Sequence, residues 1–264
     1  MAGGVSSAAP AWRESALDLS GASTKVLEAG DGPVLLYLHG IDGPRDFSDE
    51  ALLALSKNYR VIAPWHPGFG PSLRPEAFRS VSDIAYFHLD LIDAWKLRDI
   101  TLVGASFGGW IAAEIAVRNC SALSKLVLSG AVGIKAGDRT TRDYLDFFTL
   151  PRAEWMNVAF ADPAKAVRDV AGLSEAELTN IARNSEAVAY YGWKPFLHNP
   201  QLAHWLHRVS VPTVVIRGAQ DRITRREVHE LYAKAIRGAT LEVIEGAGHY
   251  PHVEQPAAFV KAVG

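Results

Sequence analysis

The chain has 264 residues, 48% hydrophobic and 21% charged, with 27 Lys and Arg against 29 Asp and Glu and a formal net charge of −2. That is an ordinary globular composition, of a length that fits one large domain or a domain with an insertion and that needs no disulfide or metal staple. The near-zero charge excludes an electrostatic footprint for nucleic acid or an anionic membrane, and no apolar run approaches the ~20 residues that span a bilayer. At the N-terminus, MAGGVSSAAPAWRE lacks a basic segment followed by an apolar one, so no secretory leader is expected. The single cysteine, Cys120, cannot form an internal disulfide. Together these predict a cytoplasmic protein.

In chain order, short apolar runs alternate with stretches of helical period. The runs at 34–38, 60–63, 100–103, 125–128, 213–216 and 241–244 read as strands buried on both faces, as in a parallel sheet covered by helices. Helices are predicted over 82–95 (Ser82 as N-cap), 107–118, 225–236 and 255–263. This βαβα order implies right-handed crossovers. The alternation breaks between about Gly133 and Val209. There 143–148, 155–160, 162–170 and 174–188 read as helices, the last opening on a Ser174–Glu177 capping box. The reading is an α/β core over 1–132 and 208–264, with a helical insertion over 133–207 lying on one edge of the sheet.

The chemistry-bearing motif is GASFGG at 104–109, directly after a strand and opening a helix. That strand–turn–helix context presents Ser106 as an exposed nucleophile on a tight turn, with free helix N–H groups beside it. A side chain at Gly104 or Gly108 would collide with the neighbouring strand or helix. A serine nucleophile needs a base and an acid that orients it. His249 follows GAG at 246–248 after the last strand, and Asp221 closes GAQD at 218–221 after the preceding one. Both fall at the edge of the sheet where ligands collect. The other slot for an acid, Ser129-Gly130-Ala131, holds no carboxylate. In HGIDG at 39–43, Ile41 is positioned to donate a backbone N–H, with Phe107, to a developing oxyanion. His39 itself reads as structural, its ring bonded to loop backbone.

The pieces HGIDG at 39–43, PGFGPS at 67–72, GASFGG at 104–109, GAQDRIT at 218–224 and GAGHYPHVEQP at 246–256 resemble the α/β-hydrolase superfamily over nearly the whole chain. The resemblance implies an eight-stranded, mostly parallel sheet with a helical cap between the sixth and seventh strands. It points to the subgroup of capped lipases, esterases and carbon–carbon bond hydrolases. Two departures are visible: Trp65-His66 where the family often has an aspartate before PGFG, and Tyr250 where many carbon–carbon hydrolases have tryptophan.

Substrate-lining candidates are Trp110, Phe147, Tyr190, Trp193 and Tyr250. Arg183 is a candidate partner for a substrate carboxylate, as a cap arginine is in the carbon–carbon hydrolases. His204 and His207 have helical spacing for a metal pair but no accompanying carboxylate or cysteine, and read as a solvated face. The functional expectation is a cofactor-free serine hydrolase acting on small or medium hydrophobic carboxylic esters. Its partner is a small molecule, neither nucleic acid nor membrane. The alternatives are hydrolysis of a carbon–carbon bond in ring-cleavage dienoic acids and a slow-turnover ligand receptor. The sequence sets neither the natural substrate nor the oligomeric state.

Overall fold

In the computed structural model, which describes residues 11–45, 47–166 and 172–264, eight strands form one sheet in the order β1-β2-β4-β3-β5-β6-β7-β8. They are β1 Arg13–Leu19, β2 Ala22–Ala29, β3 Val34–Leu38, β4 Arg60–Pro64, β5 Ile100–Ala105, β6 Leu123–Ser129, β7 Thr213–Gly218 and β8 Thr240–Ile244. From β4 to β8 all neighbours run parallel; β2 is antiparallel to β4, and β1 to β2. The α/β-hydrolase fold is therefore the observed one. β3 and β5 are central and almost wholly buried, which is why they read as unbroken apolar runs. β1 and β2 escape the run-based reading because they form the antiparallel edge. In β2, Ala22, Thr24 and Val26 are buried while Ser23 and Lys25 face solvent, the alternation of a half-solvated strand.

Helices cover both faces. On one side lie α2 (Val81–Ala94), α3 (Phe107–Arg118) and α7 (Arg226–Ala235); on the other lie α1 (Glu50–Leu55), α8 (Pro251–Glu254) and α9 (Pro256–Val263). α3 is buried on every side, with only Arg118 among its residues not fully buried. α1, a six-residue helix too short to show a period, was not expected. α2 starts at Val81, and its cap is Ser80 rather than Ser82. The Ser80 backbone N–H and hydroxyl both donate to Asp83 Oδ2, at 2.8 Å each. Ser82 Oγ instead accepts from Arg118 Nη2 (2.8 Å).

Between β6 and β7 the chain forms α4 (Arg152–Ala159), α5 (Glu175–Gly192) and α6 (Leu202–Trp205). The predicted helix over 143–148 does not form. Asp143 is drawn instead to Lys135 Nζ (2.8 Å) and to the backbone N–H groups of Ala136 and Gly137, and Tyr144 bridges to Thr224. Only one 3-10 turn, Phe147–Thr149, remains there. Of the predicted helix over 162–170, Pro163–Ala166 is a 3-10 turn, and 167–170 lie outside the described residues. α5 opens on the Ser174–Glu177 capping box. The returning segment is tied to the core where Asn199 Nδ2 donates to Glu114 Oε1 (2.8 Å).

Candidate active site

β5 passes straight into α3, and the turn between them is Ser106, at φ 51° and ψ −112°. A non-glycine residue held there carries strain on the order of 1–3 kcal/mol, imposed by its surroundings. Those surroundings are tight. A Cβ on Gly104 would stand 2.4 Å from the Gly108 carbonyl oxygen, and one on Gly108 would stand 2.0 Å from that of Leu38. The two glycines let strand, turn and helix close on one another, and the Ser106 hydroxyl is left at the strand's C-terminal end.

His249 stands on the loop after β8. Its Nε2 lies 2.7 Å from Ser106 Oγ, and its Nδ1 lies 3.1 Å from Asp221 Oδ2 on the loop after β7. A carboxylate only accepts, so Nδ1 carries the proton and the serine hydroxyl donates to Nε2. Asp221 Oδ1 is saturated by the backbone N–H groups of Ile223 (2.9 Å) and Thr224 (3.0 Å). Burial by itself pushes the Asp221 carboxyl up. The His249 ring and the hydrogen bonds outweigh it and hold the group below its ordinary value, as a carboxylate. The structure thus brings Ser106, His249 and Asp221 together into one buried hydrogen-bonded line.

Phe107 is the first residue of α3, so its N–H has no acceptor within the helix. Ile41 follows β3 on a loop that passes close to the serine, where a Cβ on Gly40 would lie 3.4 Å from Ser106 Cβ. Ile41, Phe107, Ser106 and His249 wall one cavity, closed from the far side by Phe147, Trp155, Val188 and Leu197 of the segment between β6 and β7. Its free volume is ≈ 10 Å³, about one water. Val132 and Ile223 complete a largely apolar lining that contains no Lys or Arg among the described residues.

Residues 35–262 match the Alpha/beta hydrolase family. The chain belongs to that family. It is 29% identical to a 2-hydroxymuconate semialdehyde hydrolase of Pseudomonas sp. strain CF600, over 93% of this chain and 90% of that protein. It is 31% identical to a 1-acylglycerol-3-phosphate O-acyltransferase of Arabidopsis thaliana, over 91% of this chain and 68% of that one. A putative lipase from Acinetobacter baumannii shares its fold at a TM-score of 0.80, with 23% identity over 95% of this chain and 89% of that one. Among the described residues of this family member, no helix is long and apolar enough to cross a membrane.

Of the predicted substrate-lining aromatics, Phe147 walls the cavity and four do not. Trp110 turns back along α3 and donates from Nε1 to Glu114 (3.1 Å). Tyr250 is buried beside His249; its hydroxyl donates to Asp42 (2.8 Å) and its ring stacks on Phe160. Tyr190 and Trp193 are 38% and 54% exposed. Tyr190 lies under the Arg74 guanidinium and Trp193 against Phe148 and Phe196. The helical phase explains Tyr190. Asn184, Ala187, Val188 and Tyr191 form the buried stripe of α5, which turns Tyr190 outward. Arg183 is likewise outside the cavity, donating to the Gly70 carbonyl (3.3 Å).

Sequence reasoning missed Glu254. Its buried carboxylate accepts the N–H of Gly248 (2.5 Å) through Oε2, and those of Ala161 (2.8 Å) and Asp162 (3.1 Å) through Oε1. The His249 N–H donates to the Ala159 carbonyl at the end of α4 (2.7 Å). The His249 loop is therefore tied directly to the segment that closes the cavity. The only hint in the sequence was that Glu254 falls within the GAGHYPHVEQP stretch. Glu254→Ala leaves the buried Gly248 N–H and the part-buried N–H groups of Ala161 and Asp162 without this acceptor and is expected to cost about 1–3 kcal/mol of stability. Glu254→Gln, which keeps one acceptor oxygen, should cost less. Urea midpoints of the two variants check this; equal midpoints in both variants and the parent would contradict it.

Proposed function

We propose that this chain is a serine hydrolase that cleaves hydrophobic carboxylic esters of small or medium size through an acyl-enzyme. The observation that carries the reading is the unbroken line Ser106 Oγ–His249 Nε2, His249 Nδ1–Asp221 Oδ2, opening onto a lining that holds no Lys, Arg, Asp or Glu among the described residues. Ser106 Oγ attacks the ester carbonyl while His249 takes its proton, then returns that proton to the departing alkoxide. Asp221 holds the imidazole in its tautomer and stabilises the imidazolium. The N–H groups of Ile41 and Phe107 receive the tetrahedral oxyanion. Water, deprotonated by His249, releases the acid and restores Ser106. No step needs a group beyond the chain and water.

Residues 133–207 act as the cap in this reading, and its side chains Phe147, Trp155, Val188 and Leu197 set acyl-chain selection. A ring-cleavage dienoate would bring a carboxylate against cap side chains that are apolar among the described residues. A charge buried without a partner is costly, so the ester reading is preferred although several relatives of 25–29% identity are semialdehyde or dienoate hydrolases.

A p-nitrophenyl ester series, run beside a dienoate ring-cleavage product, tests this. Each buried methylene is worth roughly 0.8 kcal/mol, so, with the cap side chains displaced to admit an acyl chain, kcat/KM is expected to climb by up to about fourfold per methylene until that space is filled. Phe147→Ala enlarges the cavity and should move the optimum to longer acyl chains, and Arg183→Ala should leave ester rates within about threefold. Negligible ester turnover with fast dienoate cleavage that Arg183→Ala abolishes would reverse the choice.

A further inference from the structure

Trp65-His66 departs from the family pattern, and both side chains touch the loop that carries Ile41. The Trp65 ring presses on two turns: a Cβ on Gly43 would meet it at 2.5 Å and one on Gly70 at 2.4 Å. It also meets the His39 ring edge-on at 5.4 Å, while His66 stacks on the His39 ring at 3.8 Å.

The hydrogen bonds through these rings fix every proton. The His66 backbone N–H donates to His39 Nε2 (3.1 Å), so the His39 proton sits on Nδ1, which donates to the Gly40 carbonyl (2.6 Å). His66 Nε2 donates to the His39 carbonyl (3.1 Å). In a neutral ring its Nδ1 is then an acceptor, and it receives the Nε2 proton of His88 on α2 at 2.8 Å. The line ends at His88 Nδ1, which has no hydrogen-bond partner among the described residues. All three rings are fully buried. Burial keeps them neutral: it drives His66 down to about 3, and, helped by the neighbouring imidazoles, His39 and His88 well below the usual histidine value.

A trans peptide points its carbonyl and its N–H in opposite directions. Clamping the His39 and Gly40 carbonyls toward the histidines therefore turns the N–H groups of Gly40 and Ile41 away from them. We propose that His66 and His88 are positioning residues for the oxyanion site: His88 sets the His66 tautomer, His66 and His39 clamp two successive carbonyls, and the Ile41 N–H is thereby aimed at the carbonyl oxygen of the group that Ser106 attacks. This rests on the reading of Ser106 as nucleophile.

The test uses two measurements on the full chain. Imidazole nitrogen NMR of the parent is expected to show His39 protonated at Nδ1, and His66 and His88 at Nε2, none of them titrating between pH 6 and 9. The second is the rate at which an alkyl fluorophosphonate labels Ser106. There the Oγ–P bond forms, fluoride leaves, and the serine proton passes to His249, with the developing oxyanion in the same site whatever the natural substrate. Removing one oxyanion donor costs about 10²–10³, so misaiming one is expected to slow labelling about ten- to hundredfold in His66→Leu and His88→Leu. His88→Gln, which restores an N–H donor, should return to within about threefold, and thermal midpoints show that each variant is folded. Opposite tautomers, or variants that label at the parental rate, overturn the proposal. A parent that labels at Ser106 but cleaves no ester overturns the ester reading alone, and the labelling ratios still decide this one. A parent that does not label at all overturns both.

Discussion

Ser106→Ala is expected to abolish ester turnover while leaving the fold intact. In subtilisin, losing the nucleophilic serine costs about 2 × 10⁶ in kcat, and a loss on the order of 10⁶ is expected here. Here the base and its acid are already aligned in the resting protein, with His249 Nε2 2.7 Å from Ser106 Oγ and Nδ1 3.1 Å from Asp221. Alanine removes the attacking atom and the bond to His249 but disturbs little else, because the turn is held by Gly104, Gly108 and the packed α3. Circular dichroism and the thermal midpoint check the fold; kcat on the best p-nitrophenyl ester checks the chemistry. A folded Ser106→Ala protein that keeps more than about one per cent of parental kcat would remove the nucleophile from the mechanism. Asp221→Asn should fall less far, up to about 10⁴, because the imidazole then favours the wrong tautomer.

The second large effect is on stability in mild acid. Four of the nine histidines, His39, His66, His88 and His229, are fully buried. Burial is the first cause of depression in each, leaving His66 at about 3, His229 at about 4 despite the nearby Asp221, and the other two well below 6.5. In the unfolded chain these groups take up protons near the ordinary histidine value of about 6.5. Between that value and the folded-state values the unfolded state binds more protons. Stability is therefore full above about pH 7 and falls as pH drops through 6.5. Each histidine kept neutral contributes roughly 1.4 kcal/mol per pH unit once fully titrating, so the four together remove on the order of 5 kcal/mol as pH falls from 7 toward 5. Domains are typically stable by about 5–15 kcal/mol, so this loss is a large share of the total and acid unfolding is expected below pH 6. Urea midpoints from pH 7 down to 5 measure the slope. His88→Phe, with one fewer buried imidazole, should flatten it by about a quarter. A stability independent of pH over that range would show that the imidazoles are not buried as described.

How legible the molecule is in its sequence depends on where each residue sits. The central strands β3, β5 and β6 are readable because both their faces are buried, so apolarity is continuous along the chain. β1 and β2 are not, because one face of that edge meets solvent and their pattern is broken by Ser23 and Lys25. Ser106, His249 and Asp221 are legible for a local reason: each lies in a Gly-containing turn just after a strand, and a parallel sheet brings such turns to one edge. The walls of the cavity depend on side-chain phase instead. Aromatic content singled out Tyr190 and Trp193, while the inner face of α5 belongs to Val188 and Tyr191. Glu254 and the His39–His66–His88 line are illegible for another reason. Their partners lie far apart in the chain, and nothing local signals that two loops and a helix will meet.

The central claim is that acyl transfer runs through Ser106. It is tested most directly by mixing the protein with a short-chain p-nitrophenyl ester, quenching in acid during the pre-steady-state burst, and mapping the adduct by mass spectrometry. The account predicts one adduct of acyl mass, on the peptide bearing Ser106, that forms with the burst of nitrophenol, decays with turnover and is absent from Ser106→Ala. Steady ester turnover with no acyl adduct, or with the adduct on another residue, would contradict it.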